Sequence, residues 1–407
     1  MAVTAESIRA ARERTAGLVS VTPTLHSLAL SEITGANVFV KYENMQHTGS
    51  FKTRGAAAKL TVLTDAEKRT GVIAMSAGNH AQGVAFHAGR LGIPATIVMP
   101  KGTPFNKVRK TRDYGGTVVL EGETLAEARA AARRIGEERG LTFIHPYDDD
   151  EIIAGQGVIG LEVMEAVSDA EMIVAPVGGG GLIAGIATAA KSLKETVRVV
   201  GVETALYPSM INAVRQEDAP NGGATVAEGI AVAEAGARTV PIVKSLVEDV
   251  LTVSEANLER GISLFANAAK TVAEGAGAAP LAALLQYPAR FKGQKVVLIL
   301  SGGNIDPRLL SSVLLRDLVR VGQILTLSIV LPDRPGSLEA ITAICAQEDA
   351  NVIDVSHRRL GLDLAASAAR LDITIETRDP DHAAQIVGRI RAAGFAPTAH
   401  EPYLLES

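Results

Sequence analysis

From about residue 37 the chain alternates short apolar runs with Ala-rich stretches of helical length. The runs are ANVFVKYE, GVIAMS, ATIVMP, GTVVLE, MIVAPVG, VRVVGVE and KVVLILSGG. Each is too short for a helix and mostly continuous rather than alternating, the pattern of strands buried on both faces of a parallel sheet. Strands that alternate with helices in this way predict an α/β body with helices on both sides of its sheets. After RDLVRVGQ the pattern changes. A strand (ILTLSIVL), a turn and helix (DRPGSLEAITAICAQEDA), two strands (NVIDVSHRR and ARLDITIET), a helix (DHAAQIVGRIRAAG) and a final extended stretch follow. That order, βαββαβ, predicts a ferredoxin-like unit of about 80 residues. The boundary is expected between residues 318 and 324, giving bodies at 1–320 and 324–407.

Composition narrows the function classes. At 407 residues the chain exceeds one ordinary core. The net charge of −5 comes from intermixed signs with no basic block, so no nucleic-acid partner is expected. The opening MAVTAESIRAARERT lacks the apolar core of a secretory leader, and no apolar stretch is long enough to span a bilayer. A cytoplasmic protein without membrane association is expected. With Cys345 as the single cysteine, neither an intrachain disulfide nor a cysteine-based zinc site can form. The chemistry must come from other residues.

Several apolar runs end in small-residue turns, where open α/β sheets bind ligands. In TGSFKTRGAAAKL, Lys52 follows Phe51 in a Ser/Thr/Gly turn that starts a helix. Alone it reads as a solvated helix residue. A helix N-terminus and partial desolvation would instead favour a neutral, nucleophilic amine. In SAGNHAQGVA, residues 76–85, backbone N–H groups at a helix start could seat a carboxylate or phosphate, or Ser76 or Asn79 could simply cap the helix. His80 taken singly reads more readily as a packed helix residue than as a catalyst. In VGGGGLIAGIA, residues 177–187, four consecutive glycines are costly unless the backbone must approach a bound anion. This loop fails the P-loop pattern but matches GxGxxA from Gly179 to Ala184. Glu203 lies about two dozen residues on, near the place of a ribose-binding acid in dinucleotide folds. That fingerprint usually opens its domain, whereas a long α/β stretch precedes this loop. In KVVLILSGGNID, Ser301 stands at the end of an apolar run.

Taken together and in order, TGSFKTRGA, SAGNHAQGVA, VGGGGL, AEGAGA and SGGN resemble the fold type II pyridoxal-phosphate enzymes, and among them the threonine dehydratases (threonine ammonia-lyases). The resemblance covers about residues 8–318. The segment from 324, with DRPGSL at its first strand-to-helix turn, is similar to ACT domains, which bind amino acids. The implied fold is a two-lobed, tryptophan synthase β-like α/β body, with a smaller lobe at roughly 48–155, plus the C-terminal ferredoxin-like unit. The implied cofactor is pyridoxal 5'-phosphate. The implied reaction is α,β-elimination of water from L-threonine, giving 2-oxobutanoate and ammonia, with L-serine or 3-hydroxyaspartate as alternative substrates. By the same resemblance Lys52 is the Schiff-base lysine and then the general base, and Phe51 packs on the cofactor ring. Asn79 bonds the ring hydroxyl, Gly178, Gly179, Gly180, Gly181 and Leu182 wrap the phosphate, and Ser301 meets the pyridine nitrogen. Ser76, Ala77, Gly78, Asn79 and His80 cradle the substrate carboxylate. No side chain of the motifs offers itself as acid for the leaving hydroxyl, which points to the cofactor phosphate. An amino-acid effector such as isoleucine or valine, and a homodimer or homotetramer, are also implied.

Two departures sharpen this reading. Serine racemases, which are similar, carry a serine at the position of Ala77, so racemisation is expected to be poor. They also bind a divalent ion through an acidic pair, of which Glu203 would be one member, but Ser209 falls at the other position. No metal site is assigned.

Overall fold

The computed structural model describes residues 3–359 and 364–400. Packing divides the chain into two units, Met1–Asp306 and Pro307–Ser407.

The first unit holds two sheets. One is four-stranded and wholly parallel, in the order Thr117–Leu120, Ala95–Met99, Val72–Met75, Thr142–Phe143. The other has six strands, in the order Thr24–His26, Asn37–Tyr42, Lys295–Leu300, Met172–Pro176, Arg198–Thr204, Asp249–Val253. Its strands are parallel except for the edge pair Thr24–His26 and Asn37–Tyr42. Every residue of Val72–Met75, Ala95–Met99 and Met172–Pro176 is buried, as continuous apolar runs covered on both faces require.

Chain order locates the ligand region. In the smaller sheet the strand after Val72–Met75 lies on one side of it, and the last strand lies on the other. In the larger sheet the chain leaves Met172–Pro176 toward Arg198–Thr204 and later returns on its other side as Lys295–Leu300. Both are topological switch points, where crevices open beyond the strand C-termini. The loops at 76–78 and 177–180 follow these two strands.

The long helix Asp150–Ala166 is buried along most of its length, and Asp149 caps its N-terminus by accepting from the N–H groups of Glu151 and Ile152. A buried charge cluster fixes the start of the chain's reactive segment. Arg54, in the first turn of the helix Lys52–Thr61, donates to Glu43 at 2.7 Å and to Glu162 at 2.7 Å. Lys41 completes the cluster, donating to Glu162 at 2.5 Å.

The second unit contains the helix Pro307–Arg320 and an antiparallel sheet. The sheet runs Val352–Arg358, Ala368–Glu376, Ile324–Pro332, Pro397–Ala399. Alternation along Ile324–Pro332 and Ala368–Glu376 sends Leu325, Leu327, Ile329, Leu371, Ile373 and Ile375 to one face. There they pack with Ile341, Ile386 and Ile390 of the helices Ser337–Gln347 and Pro380–Ala392. The βαββαβ order is the one read from the sequence. The expected second domain also included residues 360–363 and 401–407, which lie outside the described residues. Among the described residues no helix is long and apolar enough to cross a membrane.

Candidate active site

Lys52 is the first residue of its helix, preceded by Phe51 at the cap position. Its Nζ donates to the carbonyl of Pro146 at 2.8 Å and lies 5.2 Å from the centre of the Phe51 ring. Burial lowers its pKa to about 8, against the opposing charge of Glu274. The amine is therefore neutral far more often near physiological pH than a solvated lysine.

The SAGNH turn does not follow ordinary side-chain capping. Gly78 occupies the cap position of the helix Asn79–Arg90, with no side-chain cap bond, and Ser76 Oγ accepts from the Gly78 N–H at 3.1 Å. The Ser76 N–H goes to the carbonyl of Val98. Among the described residues, the N–H groups of Ala77, Asn79 and His80 meet no acceptor. Unpaired N–H groups at a helix N-terminus can seat an anion. The His80 ring is turned away to Ile144, with Nε2 3.0 Å from its carbonyl oxygen, and burial pushes its pKa down to about 3. His80 can thus offer an anion its backbone, not an imidazolium.

The glycine loop offers a second set of unpaired donors. Among the described residues no N–H of Gly178, Gly179, Gly180, Gly181 or Leu182 meets an acceptor. The Gly179 carbonyl is held by Thr239 Oγ1 at 2.7 Å and by the Gly236 N–H at 3.1 Å, which orients the loop. Gly180 has φ +92°, and a Cβ there would collide with Met210 and lie 2.6 Å from Thr239 Oγ1. A Cβ on Gly179 would strike the Tyr147 ring. Only glycine fits, and five consecutive free donors match a phosphate. The residues present therefore fit pyridoxal phosphate.

Ser301 is buried at the end of Lys295–Leu300, and its carbonyl accepts from the Phe51 N–H at 3.0 Å. This joins the SGGN turn to the lysine turn, and Ser50 bridges Gly302 beside it. Asn79 joins the remaining motifs. Its Nδ2 donates to Glu274 Oε1 at 2.7 Å, and its Oδ1 accepts from Asn304 Nδ2 at 2.8 Å. All five sequence motifs thus meet in one place.

Sequence reasoning missed two participants. The segment His145–Pro146–Tyr147 lies between Lys52 and the glycine loop, through the Pro146 carbonyl on one side and the Tyr147 ring on the other. Glu274 belongs to the AEGAGA motif, but its role is not readable from the motif alone. Burial raises its pKa to about 7. Glu203 is buried and accepts from the N–H groups of Met210 and Ile211 at 2.7 and 3.0 Å and from Ser209 Oγ at 3.3 Å. It caps a short helix from the end of its strand. Among the described residues no cluster of three metal-ligating side chains occurs.

The switch-point loops, the desolvated lysine and the phosphate-sized donor nest define a pyridoxal-phosphate-dependent enzyme. Residues 16–302 match the family model for pyridoxal-phosphate dependent enzymes, and residues 325–395 match the ACT domain. The chain belongs to the pyridoxal-phosphate-dependent enzyme family, and its C-terminal region is an ACT domain. It is 43% identical to an L-threonine ammonia-lyase of Thermotoga maritima, over 97% of this chain and 98% of that one. A solved T.th. threonine deaminase superposes with a TM-score of 0.70 at 40% identity, covering 74% of this chain and 99% of that one. Maize serine racemase gives a TM-score of 0.73 at 32% identity, covering 79% and 99%.

Proposed function

We infer that this enzyme converts L-threonine to 2-oxobutanoate and ammonia and that its ACT domain places the reaction under amino-acid control. The observation that carries the reading is the pairing of a lowered-pKa Lys52 with the unpartnered N–H nest of Gly178 to Leu182 in a chain that shares 43% identity with an L-threonine ammonia-lyase along almost its whole length.

Pyridoxal phosphate, when bound, supplies an electron sink conjugated to the substrate α-carbon. Lys52 would hold it through Nζ, and the same nitrogen, with its lowered pKa, would accept the substrate α-proton. The nest of Gly178, Gly179, Gly180, Gly181 and Leu182 would hold the phosphate, Phe51 would flank the ring, and Asn79 would donate to the ring hydroxyl. Ser301 would stand at the ring nitrogen and offer it a neutral hydroxyl rather than a carboxylate. Such a hydroxyl would leave the electron sink weaker than a carboxylate would, a setting that favours elimination over transamination. The substrate carboxylate sits on the free N–H groups of Ala77, Asn79 and His80, with Ser76 and Gly78 shaping the turn. Over the whole reaction L-threonine would lose one water, and hydrolysis of the released enamine would take one up, giving 2-oxobutanoate and ammonia with no net change in water.

The setting we propose is a cytoplasmic homodimer or homotetramer serving isoleucine formation, with isoleucine or valine as effector. Ile353 and Val355 are exposed on the edge strand Val352–Arg358, a feature that a second copy would cover. The test is 2-oxo acid formation from L-threonine, L-serine and 3-hydroxyaspartate, with and without isoleucine and valine. L-threonine should be preferred by kcat/KM. A preference for either of the other two would overturn the substrate assignment while leaving the reaction class.

A further inference from the structure

The Asn79 amide stands in a chain of hydrogen bonds with a fixed direction. Asn304 Nδ2 has two N–H groups and spends both, one on the Thr48 carbonyl at 2.7 Å and one on Asn79 Oδ1 at 2.8 Å. A backbone carbonyl can only accept, so Asn304 must present its NH2 there. Asn79 must then present its oxygen to Asn304 and its NH2 to the other side. There Glu274 Oε1 accepts one N–H at 2.7 Å, leaving the second for the cofactor site.

Glu274 is placed for this task and not for an ordinary one. It occupies the cap position of the helix Gly275–Gln286, where a carboxylate would normally accept from the first turn. Its side chain makes no such bond. It is instead turned against the SGGN turn, where a Cβ on Gly302 would collide with its Oε1. The fold forgoes a cap to aim this carboxylate at Asn79.

We propose that Glu274 and Asn304 are positioning residues that hold the Asn79 amide with its donor toward the cofactor ring. The proposal rests on the pyridoxal-phosphate reading of the site. It adds an electrical element, because the carboxylate at the end of the relay titrates near neutrality, its pKa raised by burial and opposed by the Asn79 bond and by Lys107. The charged groups facing it are Lys52, Lys107 and Glu228, the last two paired at 2.5 Å. Loss of its charge weakens the hold on Asn79 and removes a negative neighbour of Lys52.

The test compares wild-type holoenzyme with Glu274→Gln and Asn304→Asp, reading the visible absorption band against pH, the affinity for pyridoxal phosphate, and kcat and KM separately. Glutamine keeps an acceptor for Asn79 but cannot ionise. The spectral transition expected near pH 7 in the wild type should therefore vanish while the cofactor stays bound. Aspartate at 304 cannot donate to Thr48 or Asn79, so the relay reverses and Asn79 turns its oxygen toward the ring. Cofactor affinity should fall about tenfold, the scale of one hydrogen bond to a charged group, with a shifted band. Asn304 is only half-buried, so this variant decides the matter should Glu274→Gln fail to fold. A spectral titration in Glu274→Gln identical to wild type would overturn the role of Glu274. Wild-type affinity and colour in Asn304→Asp would overturn the relay. A colourless wild-type protein would instead overturn the cofactor reading itself, and the proposal with it.

Discussion

Lys52 Nζ donates to the carbonyl of Pro146 at 2.8 Å, a bond that spans 94 positions of sequence and points the amine at the segment bordering the glycine loop. The backbone carbonyl orients the amine without neutralising it, so desolvation remains free to lower its pKa.

A pH dependence follows. As the proposed Schiff-base residue Lys52 would react as its neutral amine, and its pKa is lowered from 10.5 to about 8. Covalent capture of pyridoxal phosphate by apoprotein should rise about tenfold per pH unit below 8 and level off above it. A midpoint near 10.5 would show that Lys52 is solvated. Lys52→Ala should fold and lose turnover by more than a hundredfold, since acid-base catalysis alone supplies about 10²–10⁴.

At Gly180 both conformation and space are exclusive. With φ +92° and Met210 and Thr239 behind it, Gly180→Asp adds strain, bulk and a charge that repels phosphate. The folded variant should be purified without its cofactor and should stay colourless when pyridoxal phosphate is added. Normal cofactor content would give the glycine loop another purpose.

These two sites were legible in the sequence for a physical reason: a four-glycine turn and a lysine at a helix start carry their requirement locally. The partners of Lys52 and Asn79 were not, because Pro146 and Glu274 reach the site across 94 and 195 positions. The strand Asp249–Val253 is likewise absent from the sequence pattern. It is an edge strand, partly buried, with Asp249 and Thr252 interrupting its apolar run. The helix Pro307–Arg320 shows how pattern and packing differ. Its apolar spacing continues the catalytic α/β rhythm, yet it packs within the second unit, while the family matches end at 302 and resume at 325.

The buried cluster around Arg54 should govern stability. Glu43 is fully buried, and although burial alone would raise its pKa, Arg54 and Lys41 hold it below the ordinary carboxylate value. A depressed carboxylate contributes stability above its unfolded pKa and loses it as pH falls through the folded one. Arg54→Met leaves Glu43 and Glu162 buried without their shared partner, at a cost of about 3–5 kcal/mol. Its acid unfolding midpoint should move to higher pH than that of the wild type. Equal urea and acid midpoints would mean that the cluster relaxes without loss.

Ala77 marks the boundary with racemisation. It lies between Ser76 and Gly78 in the turn assigned to the substrate carboxylate, at the position where the resemblance to serine racemases would put an acid-base serine. The natural enzyme should form D-amino acids at most weakly, and Ala77→Ser should raise their share. Chiral chromatography of products from L-serine measures this, and efficient racemisation by the unaltered enzyme would refute the assignment.

The last prediction concerns regulation. The ACT domain has its own core of Leu325, Leu327, Ile329, Leu371, Ile373 and Ile375 under two helices, so it has the packing of a separately folding unit. The T.th. threonine deaminase is matched along 99% of its length by 74% of this chain, so a relative of this fold does without the remaining quarter. Deleting residues 324–407 should therefore leave a folded, coloured lyase whose response to isoleucine and valine is gone. An effector bound to the ACT domain acts by a coupling of typically 1–3 kcal/mol, a change of about five- to 150-fold in apparent affinity for threonine. That change needs no contact with Lys52 or the glycine loop. Titrating each amino acid against full-length and truncated enzyme, with 2-oxobutanoate as readout, separates the two cases. If an effector shifts both forms equally, its site lies in the catalytic body, and residues 324–407 serve another purpose.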